Sequence, residues 1–335
     1  MISNRILFVA LLIPILAVMG CTGDDGPAGP PGADGTATCL ECHNTQVQQD
    51  IAIQYTRSQH ALGEFVDYAG TRDSCARCHS GGGFVEFVLT GEVQAGDIND
   101  AGPISCQHCH SVHTEFEVTD YALRTTARVP WIADAGFGDT SADYGTNANI
   151  CANCHQSRRN EPNITNPGAT FEITSTHYGP HHGAQANVFA GTLWAEIPGS
   201  TAYPTTSLHL SQGADCLTCH MGDYSSDAGG HTWWPSLDAC QGCHATASFD
   251  YNGFQTNIQT KLDTLRDLLI GEGAVEWVVV DEAYEPVVGF YDMVVAQAFF
   301  NWIGLTEDRS KGVHNPRYIE ALIDNSIEAL EARLP

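Results

Sequence analysis

A five-residue pattern, Cys-x-x-Cys-His, recurs six times in this chain and constrains its fold more than any other feature. The six copies use twelve of the 13 cysteines. A redox disulfide or half of a zinc site needs the two cysteines but is indifferent to the residue after them. Histidine makes up 15 of 335 residues, so six histidines in that position by chance have odds of roughly one in a hundred million. The zinc and disulfide interpretations are therefore disfavoured.

Covalent haem attachment requires all three residues, because two thiols bond the vinyl groups and the histidine is an axial ligand of the iron. The pattern therefore predicts six covalently attached c-type haems. The attachment residues are Cys39 and Cys42, Cys75 and Cys78, Cys106 and Cys109, Cys151 and Cys154, Cys216 and Cys219, and Cys240 and Cys243. The corresponding axial histidines are His43, His79, His110, His155, His220 and His244.

The N-terminus has the pattern of an exported protein. A basic residue, Arg5, precedes an apolar run over residues 6–19, and Gly20 then precedes Cys21. This run is too short for a stable membrane span and is typical of a secretory signal peptide. The letters "VMGC" resemble a bacterial lipobox, so we predict a signal peptide at 1–20 and lipidation of Cys21. The alternative is ordinary cleavage that leaves a free thiol. The predicted location is the outer membrane, with the protein facing the periplasm or the cell surface.

The spacing of the motifs predicts the organisation of the mature chain. Residues 21–37 repeat glycine every third position and read as a hydrated tether. The first cysteines of successive motifs then lie 36, 31, 45, 65 and 24 residues apart, which leaves no room for an aliphatic core between haems. We therefore expect residues 38–250 to be short helices and loops wrapped on stacked haems. The predicted fold is mainly α with extensive loops and little β.

From residue 251 the pattern becomes helical and contains no attachment motif. Apolar residues recur at helical spacing in three stretches: Ile258, Leu262, Leu265 and Leu269; then Tyr291, Val294, Val295, Ala298 and Trp302; then Ile319, Leu322, Ile323, Ile327 and Leu330. Asn315 and Pro316 have the pattern of a helix start, and "VEWVVV" that of a short strand. Residues 251–335 form either a small helical domain or a brace along the haem stack, and we favour the brace.

The charge balance restricts the partners. With 40 acidic against 14 basic residues, the formal net charge is −26, so nucleic acid is an improbable partner. Basic redox proteins, cations and metal-oxide surfaces are compatible with this charge. Solubility of an exposed protein is an equally good reason for it.

The second axial position of each iron needs a further ligand. Nine histidines lie outside the motifs, whereas the mature chain has only two methionines, Met221 and Met293. Met221 directly follows His220, and Met293 lies on an apolar helix face. Histidine ligation on both sides of each iron is therefore favoured. It would give low-potential haems that are suited to passing electrons and poor at binding substrate.

Several stretches resemble multihaem cytochromes. "SLHLSQGADCLTCHMGDYSSDAGGHTWWPSLDACQGCH" resembles the cytochrome c nitrite reductase and octahaem cytochrome superfamily, in which histidines at the positions of His209 and His231 are distal ligands. "THYGPHHGAQANVFAG" and "KGVHNPRYIEAL" resemble surface cytochromes of metal-reducing bacteria. "CQHCHSVH" and "SQHAL" are similar to segments whose histidine, here His113 and His60, binds a neighbouring haem. The resemblance covers most of the chain from residue 39.

The sequence departs from the enzymes of that superfamily at two places. Nitrite reductases usually carry one CxxCK motif, whereas all six motifs here end in histidine. After the motif "CANCH" they place a tyrosine, and this chain has Gln156 and Ser157. Arg158 and Arg159 follow; they could assist an anionic substrate, although pairing with haem propionates is the simpler role. Whether the protein is an enzyme stays open, with electron transfer the favoured function.

The distal ligands are the least determined part of the prediction. Among His177, His181 and His182 we select His182, and we place His108 at the surface. The predicted distal set is His60, His113, His182, His209, His231 and His314. Three hypotheses follow for the whole protein: a lipid-anchored carrier that passes electrons between extracytoplasmic redox partners, a reductase or oxidase of small nitrogen or sulfur oxyanions, and a subunit of a cytochrome filament.

Overall fold

The computed structural model describes residues 37–335, except 95–97, 99, 100, 116, 118 and 139. The predicted signal peptide, Cys21 and the tether up to residue 36 lie outside the described residues. Within the described ranges, no helix combines the length and the apolar character needed to cross a membrane.

The described chain is mainly α-helical with long loops, as the sequence predicts. The first ten helices are mostly shorter than three turns. They are α1 (Ala37–Cys42), α2 (Thr45–Thr56), α3 (Gln59–Leu62), α4 (Val66–Ala69), α5 (Asp73–His79), α6 (Gly81–Thr90), α7 (Cys106–Cys109), α8 (Asn149–Ala152), α9 (Pro162–Thr165) and α10 (Gln185–Ala190). The remaining helices are α11 (Leu208–Ser211), α12 (Cys216–His220), α13 (Leu237–Gln241), α14 (Phe254–Gly271), α15 (Met293–Asp308) and α16 (Pro316–Glu331).

The β structure in the described residues is limited to three antiparallel pairs of strands. These are β1 (Val129–Pro130) with β2 (Ser141–Ala142), β3 (Thr170–Ile173) with β6 (Gly289–Asp292), and the hairpin β4 (Val275–Val278) with β5 (Ala283–Pro286). The predicted strand in "VEWVVV" is β4. The pairing of β3 with β6 places Phe171 opposite Tyr291. It therefore joins the region before residue 250 to the region after it.

The first part of the chain has almost no side-chain core. In its described residues up to 125, the buried hydrophobic residues are Ala69, Ala76, Phe84, Ile98 and Ala122. Helix α2 buries none of its twelve residues. Large apolar side chains are instead exposed, namely Leu40, Ile53, Leu62, Phe65, Tyr68, Leu89, Val112 and Tyr121. Helices without a buried face are not stable on propensity alone, so this region needs another apolar surface to pack on.

The last part of the chain has a conventional hydrophobic core between α14, α15 and α16. All four apolar residues expected on α14, from Ile258 to Leu269, are buried at its centre. The helical spacing is therefore confirmed. The same core also contains Ile173, Val188 and Trp194. The expectation of no aliphatic core before residue 250 is thus wrong for the longest interval between motifs, which has enough residues to supply one.

Leu322→Ala should destabilise the C-terminal core by about 2–5 kcal/mol, because a fully buried leucine leaves a cavity when it is truncated. Leu322 on α16 is 0% exposed. Chemical denaturation followed by tryptophan fluorescence measures the effect. Leu334→Ala is the matched control, since Leu334 is 59% exposed and surface changes usually stay within about 0.5 kcal/mol. Equal effects of the two changes would contradict this description of the core.

Candidate haem sites

Each Cys-x-x-Cys-His motif forms one turn of helix, and we number the sites 1 to 6 in chain order. In site 1 the backbone N–H of His43 donates to the carbonyl of Cys39 at 2.8 Å, and in site 3 His110 donates in the same way to Cys106 at 2.8 Å. One helical turn brings residues i, i+3 and i+4 to the same side. The two thiols and the imidazole of each motif therefore lie on one face of it.

Every motif histidine lies beside a histidine from elsewhere in the chain. Ring centroids are separated by 5.8 Å at site 1 and by 6.1–6.3 Å at the other five. The pairs, in site order, are His43 with His113, His79 with His181, His110 with His231, His155 with His60, His220 with His314, and His244 with His209. The partner histidine is therefore brought from a different segment of the chain in all six cases.

The separation of the paired rings matches that of two imidazoles on opposite sides of one metal ion. Two metal–nitrogen bonds of about 2 Å, with about 1.1 Å from each nitrogen to its ring centre, add up to roughly 6 Å. Aromatic rings in direct contact also have centre-to-centre distances of about 4.5–7 Å, so a single pair would be ambiguous. Here all six pairs contain a motif histidine, and their ring-centre distances differ by no more than 0.5 Å, which removes the ambiguity. These residues fit six haem irons.

Two of the motif histidines, His110 and His220, are oriented through their Nδ1 atoms. His110 Nδ1 lies 2.8 Å from the carbonyl of Tyr121, and His220 Nδ1 lies 2.7 Å from the carbonyl of Trp233. A carbonyl can only accept, so Nδ1 carries the proton and Nε2 is left with its lone pair. This is the tautomer that coordinates a metal through Nε2.

Burial keeps one partner histidine, His60, in its neutral form. Burial, together with a smaller effect of the neighbouring His155, lowers the pKa of His60 to about 4. A metal-binding imidazole must be unprotonated. His60 is therefore in the protonation state that coordination at site 4 requires.

The structure brings His181, and not His182, to site 2. The His181 ring lies 6.1 Å from that of His79, whereas His182 Nδ1 lies 2.8 Å from Glu307 Oε1 and its side chain is 75% exposed. Burial and the charge of Arg158 lower the pKa of His181 to about 4. The hydrogen bond that His182 donates to Glu307 raises the pKa of His182. The third candidate, His177, is exposed, so the geometry favours His181 over the His182 chosen from the sequence.

His314 reaches site 5 with a buried carboxylate behind it. Its Nδ1 lies 2.6 Å from Asp308 Oδ1, and the Asp308 side chain is 1% exposed. Asp308 also accepts a hydrogen bond from Ser310. Burial alone lowers the pKa of His314, but the charge and the hydrogen bond of Asp308 outweigh it and raise the pKa overall. No sequence motif pointed to Asp308, which lies six residues before His314 across a turn.

His108 differs from the expectation of a surface position. It is 4% exposed, and its Nδ1 accepts a hydrogen bond from the backbone N–H of Ser105 at 2.8 Å. The Ser105 side chain and His108 thus close a reciprocal cap at the start of α7. The ring is directed to its own helix start, which is consistent with its exclusion from the distal set.

Trp233 is a residue of the sites that the sequence analysis missed. Its ring lies 4.7 Å from that of His60 at site 4 and 5.5 Å from that of His231 at site 3, edge to face in both cases. Its carbonyl orients His220 at site 5. It adopts a positive φ of 55°, which turns the chain after His231 and allows these three contacts at once.

The surroundings of the motifs also fit haem better than a bare metal ion. Across the described ranges, no three or more His, Cys, Asp or Glu side chains converge as they would around such an ion, and the twelve motif cysteines are thiols. The exposed apolar side chains named above, from Leu40 to Tyr121, lie in the part of the chain that carries sites 1 to 3. A porphyrin at each site would supply the apolar surface that these helices lack.

Comparisons with known proteins support the fold. No protein-family model and no curated protein sequence matches the chain. The solved structure of the outer cell wall cytochrome OcwA is similar, with a TM-score of 0.53 and 20% sequence identity over 84% of this chain. The match covers 50% of OcwA, so the chain spans half the length of that structure. At this identity the similarity shows a shared fold.

Proposed function

We propose that this protein is a hexahaem c-type cytochrome that transfers electrons between redox partners outside the cytoplasm. The observation that carries the proposal is the pairing of all six motif histidines with a second histidine at one separation. The proposed distal ligands are His60, His113, His181, His209, His231 and His314. The fold shared with an outer cell wall cytochrome supports it further. The haems would supply reversible one-electron chemistry, and the chain holds and orients them.

Two histidines per iron favour electron transfer over substrate conversion. An oxyanion reductase needs an iron with an open coordination position, and each of the six described motifs has a partner histidine. Arg158 is close to site 2, because its backbone N–H donates to the carbonyl of Pro180 at 2.9 Å. Burial, and after it the charge of Arg158, lowers the pKa of His79 and His181. In the proposed cytochrome Arg158 pairs with a haem propionate.

Export and anchoring complete the proposal. A signal peptide at 1–20 and a lipid on Cys21 would place the haem domain outside the cytoplasm, where c-type haems are attached, and tether it to the outer membrane. The net charge of −26 favours a basic redox partner, whose approach would be steered by the acidic surface. Assembly into a filament remains a further hypothesis, for which electron microscopy of the purified protein is the test.

Haem content and spin state test the proposed function. The purified protein should contain six haems per chain, all low-spin in the oxidised state, and its mass should include lipid at Cys21. Pyridine haemochrome assay, intact mass and EPR measure these quantities. Cys39→Ala with Cys42→Ala is the control and should leave five haems. A content of four haems, or one stoichiometric high-spin iron, would contradict the proposal.

A further inference from the structure

We propose that the six sites form a branched array, in which site 4 (Cys151–His155) is the junction and sites 1, 2 and 6 are three separate ends. The inference rests on the proposed function, and it concerns the order of the sites in space rather than their number. It follows from the contacts that each motif makes with its neighbours, which are not those expected from the order of the motifs along the chain.

Sites 4 and 2 are joined through their second cysteines. Cys78 Sγ donates to the carbonyl of Asn153 at 3.6 Å, and Cys154 Sγ donates to the carbonyl of Arg77 at 3.6 Å. This reciprocal arrangement sets the two motifs face to face. Because each cysteine sulfur would bond to its own haem, the arrangement would bring the attachment points of two haems close together.

Sites 4 and 5 are joined by a hydrogen bond between the segments that begin their motifs. Thr146 Oγ1, in the loop before site 4, donates to Oδ2 of Asp215, which directly precedes Cys216, at 2.6 Å. Site 4 thus contacts two different neighbours: site 2 at its second cysteine and site 5 through the loop before the motif.

Sites 4 and 3 are joined on the distal side by Trp233. Its indole lies between His60 of site 4 and His231 of site 3, at 4.7 and 5.5 Å between ring centres. Site 4 therefore has three neighbours: sites 2, 3 and 5.

The remaining contacts extend two of these three arms. His113, the partner histidine of site 1, follows the site 3 histidine His110 by three residues, so one short segment holds both sites. Ser236 connects sites 5 and 6, because its N–H donates to the carbonyl of Cys219 at 3.1 Å and its carbonyl accepts from Cys240 Sγ at 3.7 Å. The order is therefore 1–3–4–5–6, with site 2 attached at site 4.

A branched array would let one chain exchange electrons at three places. An unbranched row of haems would have only two ends. The third end, at site 2, would give electrons that reach site 4 a second route to a redox partner.

A cryo-EM or crystal structure of the haem-loaded protein tests the branching. We expect the iron of site 4 to have three neighbouring irons and the irons of sites 1, 2 and 6 to have one each. Six irons in single file would overturn the inference while leaving the proposed function intact. Fewer than six haems would instead refute the proposed function.

A matched pair of ligand changes tests the same order in solution. His60→Met at site 4 and His181→Met at site 2 each replace one proposed distal histidine with a ligand that raises the reduction potential. NMR of the oxidised protein resolves the paramagnetically shifted haem methyl signals. His60→Met should shift the signals of three other haems, and His181→Met those of one. Two or more shifted haems in His181→Met, or only two in His60→Met, would contradict the junction.

Discussion

His181→Ala should convert one of the six haems from low-spin to high-spin or water-ligated iron, whereas His182→Ala should leave all six unchanged. The two residues are adjacent in the sequence, but only the His181 ring lies at the ligand distance from His79. His182 is held outward by Glu307. Quantitative EPR of the oxidised protein, with optical detection of CO binding in the reduced state, measures the change.

The backbone of the segment "GPHHG" explains how neighbouring histidines acquire different roles. His181 has a φ of 82°, between Gly179 at 152° and Gly183 at 86°. A positive φ in a residue other than glycine is uncommon and costs about 1–3 kcal/mol. The turn it creates directs the two consecutive side chains apart, one to site 2 and one to solvent. A metal bond from His181 would offset the conformational free energy that this turn costs.

The His182→Ala variant is the control for general damage to this loop, because it truncates the same side chain one residue away. It should lose its ion pair with Glu307 and little stability, since an exposed pair contributes at most about 1 kcal/mol. A high-spin haem in His182→Ala, combined with a normal spectrum in His181→Ala, would restore the ligand chosen from the sequence. High-spin signals in both variants would show that the loop as a whole, rather than His181, supports site 2.

The sequence was most informative where one chemical requirement acts on neighbouring residues. Cys-x-x-Cys-His predicts one helical turn with all three groups on one side, and the structure has this turn at sites 1 and 3. The structure also places five of the six distal candidates beside a motif histidine. For His60 and His231 the signal was a resemblance to known segments. Counting spare histidines alone could not have paired them, because a pair depends on how distant segments pack.

The sequence was least informative where the position of a side chain depends on the backbone turn and on contacts with other residues. His181 and His182 are chemically identical, so only the backbone turn and the position of Glu307 separate them. His108 was expected at the surface because it lies between two anchored cysteines, and the hydrogen bond from Ser105 turns it inward.

Long-range packing could not be predicted from the hydrophobic periodicity of the sequence. Helix α14 was predictable because four apolar residues at helical spacing bury one face. The strands β3 and β6 have four residues each and lie more than a hundred residues apart. Short strands carry no information on their partner. The extension of the C-terminal core into residues 171–197 therefore became visible only in the structure.

Asp308→Asn should raise the reduction potential of a single haem, the one at site 5, by about 60–120 mV. Its carboxylate accepts the Nδ1 proton of His314 at 2.6 Å and makes the imidazole a stronger donor to iron, which favours the ferric state. Second-shell changes of this kind alter metal binding by roughly 10- to 100-fold, and a tenfold change corresponds to about 59 mV for one electron. Spectroelectrochemical titration should show one component moving and five unchanged.

Burial is the reason to expect a large effect from this one carboxylate. The Asp308 side chain is 1% exposed, so solvent screens its charge little. Asparagine has nearly the same shape and can still accept from Nδ1 and from Ser310, so the ligand should stay in place while the negative charge is lost. Low-spin EPR signals should therefore persist in Asp308→Asn. His314→Ala, by contrast, removes the ligand and should produce one high-spin haem.

Glu307→Gln is the matched control, since Glu307 directly precedes Asp308 on the same helix. Glu307 forms an ion pair with His182, which is not among the proposed ligands. It removes the same charge from the neighbouring position and should leave all six potentials within the error of the titration. A similar shift in both variants would mean that the potential responds to net charge in general, and the specific role of Asp308 would be wrong. An unchanged potential in Asp308→Asn would mean that the hydrogen bond from His314 to Asp308 does not influence the iron of site 5. A shift confined to Asp308→Asn, with low-spin iron retained, requires both the His314 ligand and the hydrogen bond behind it.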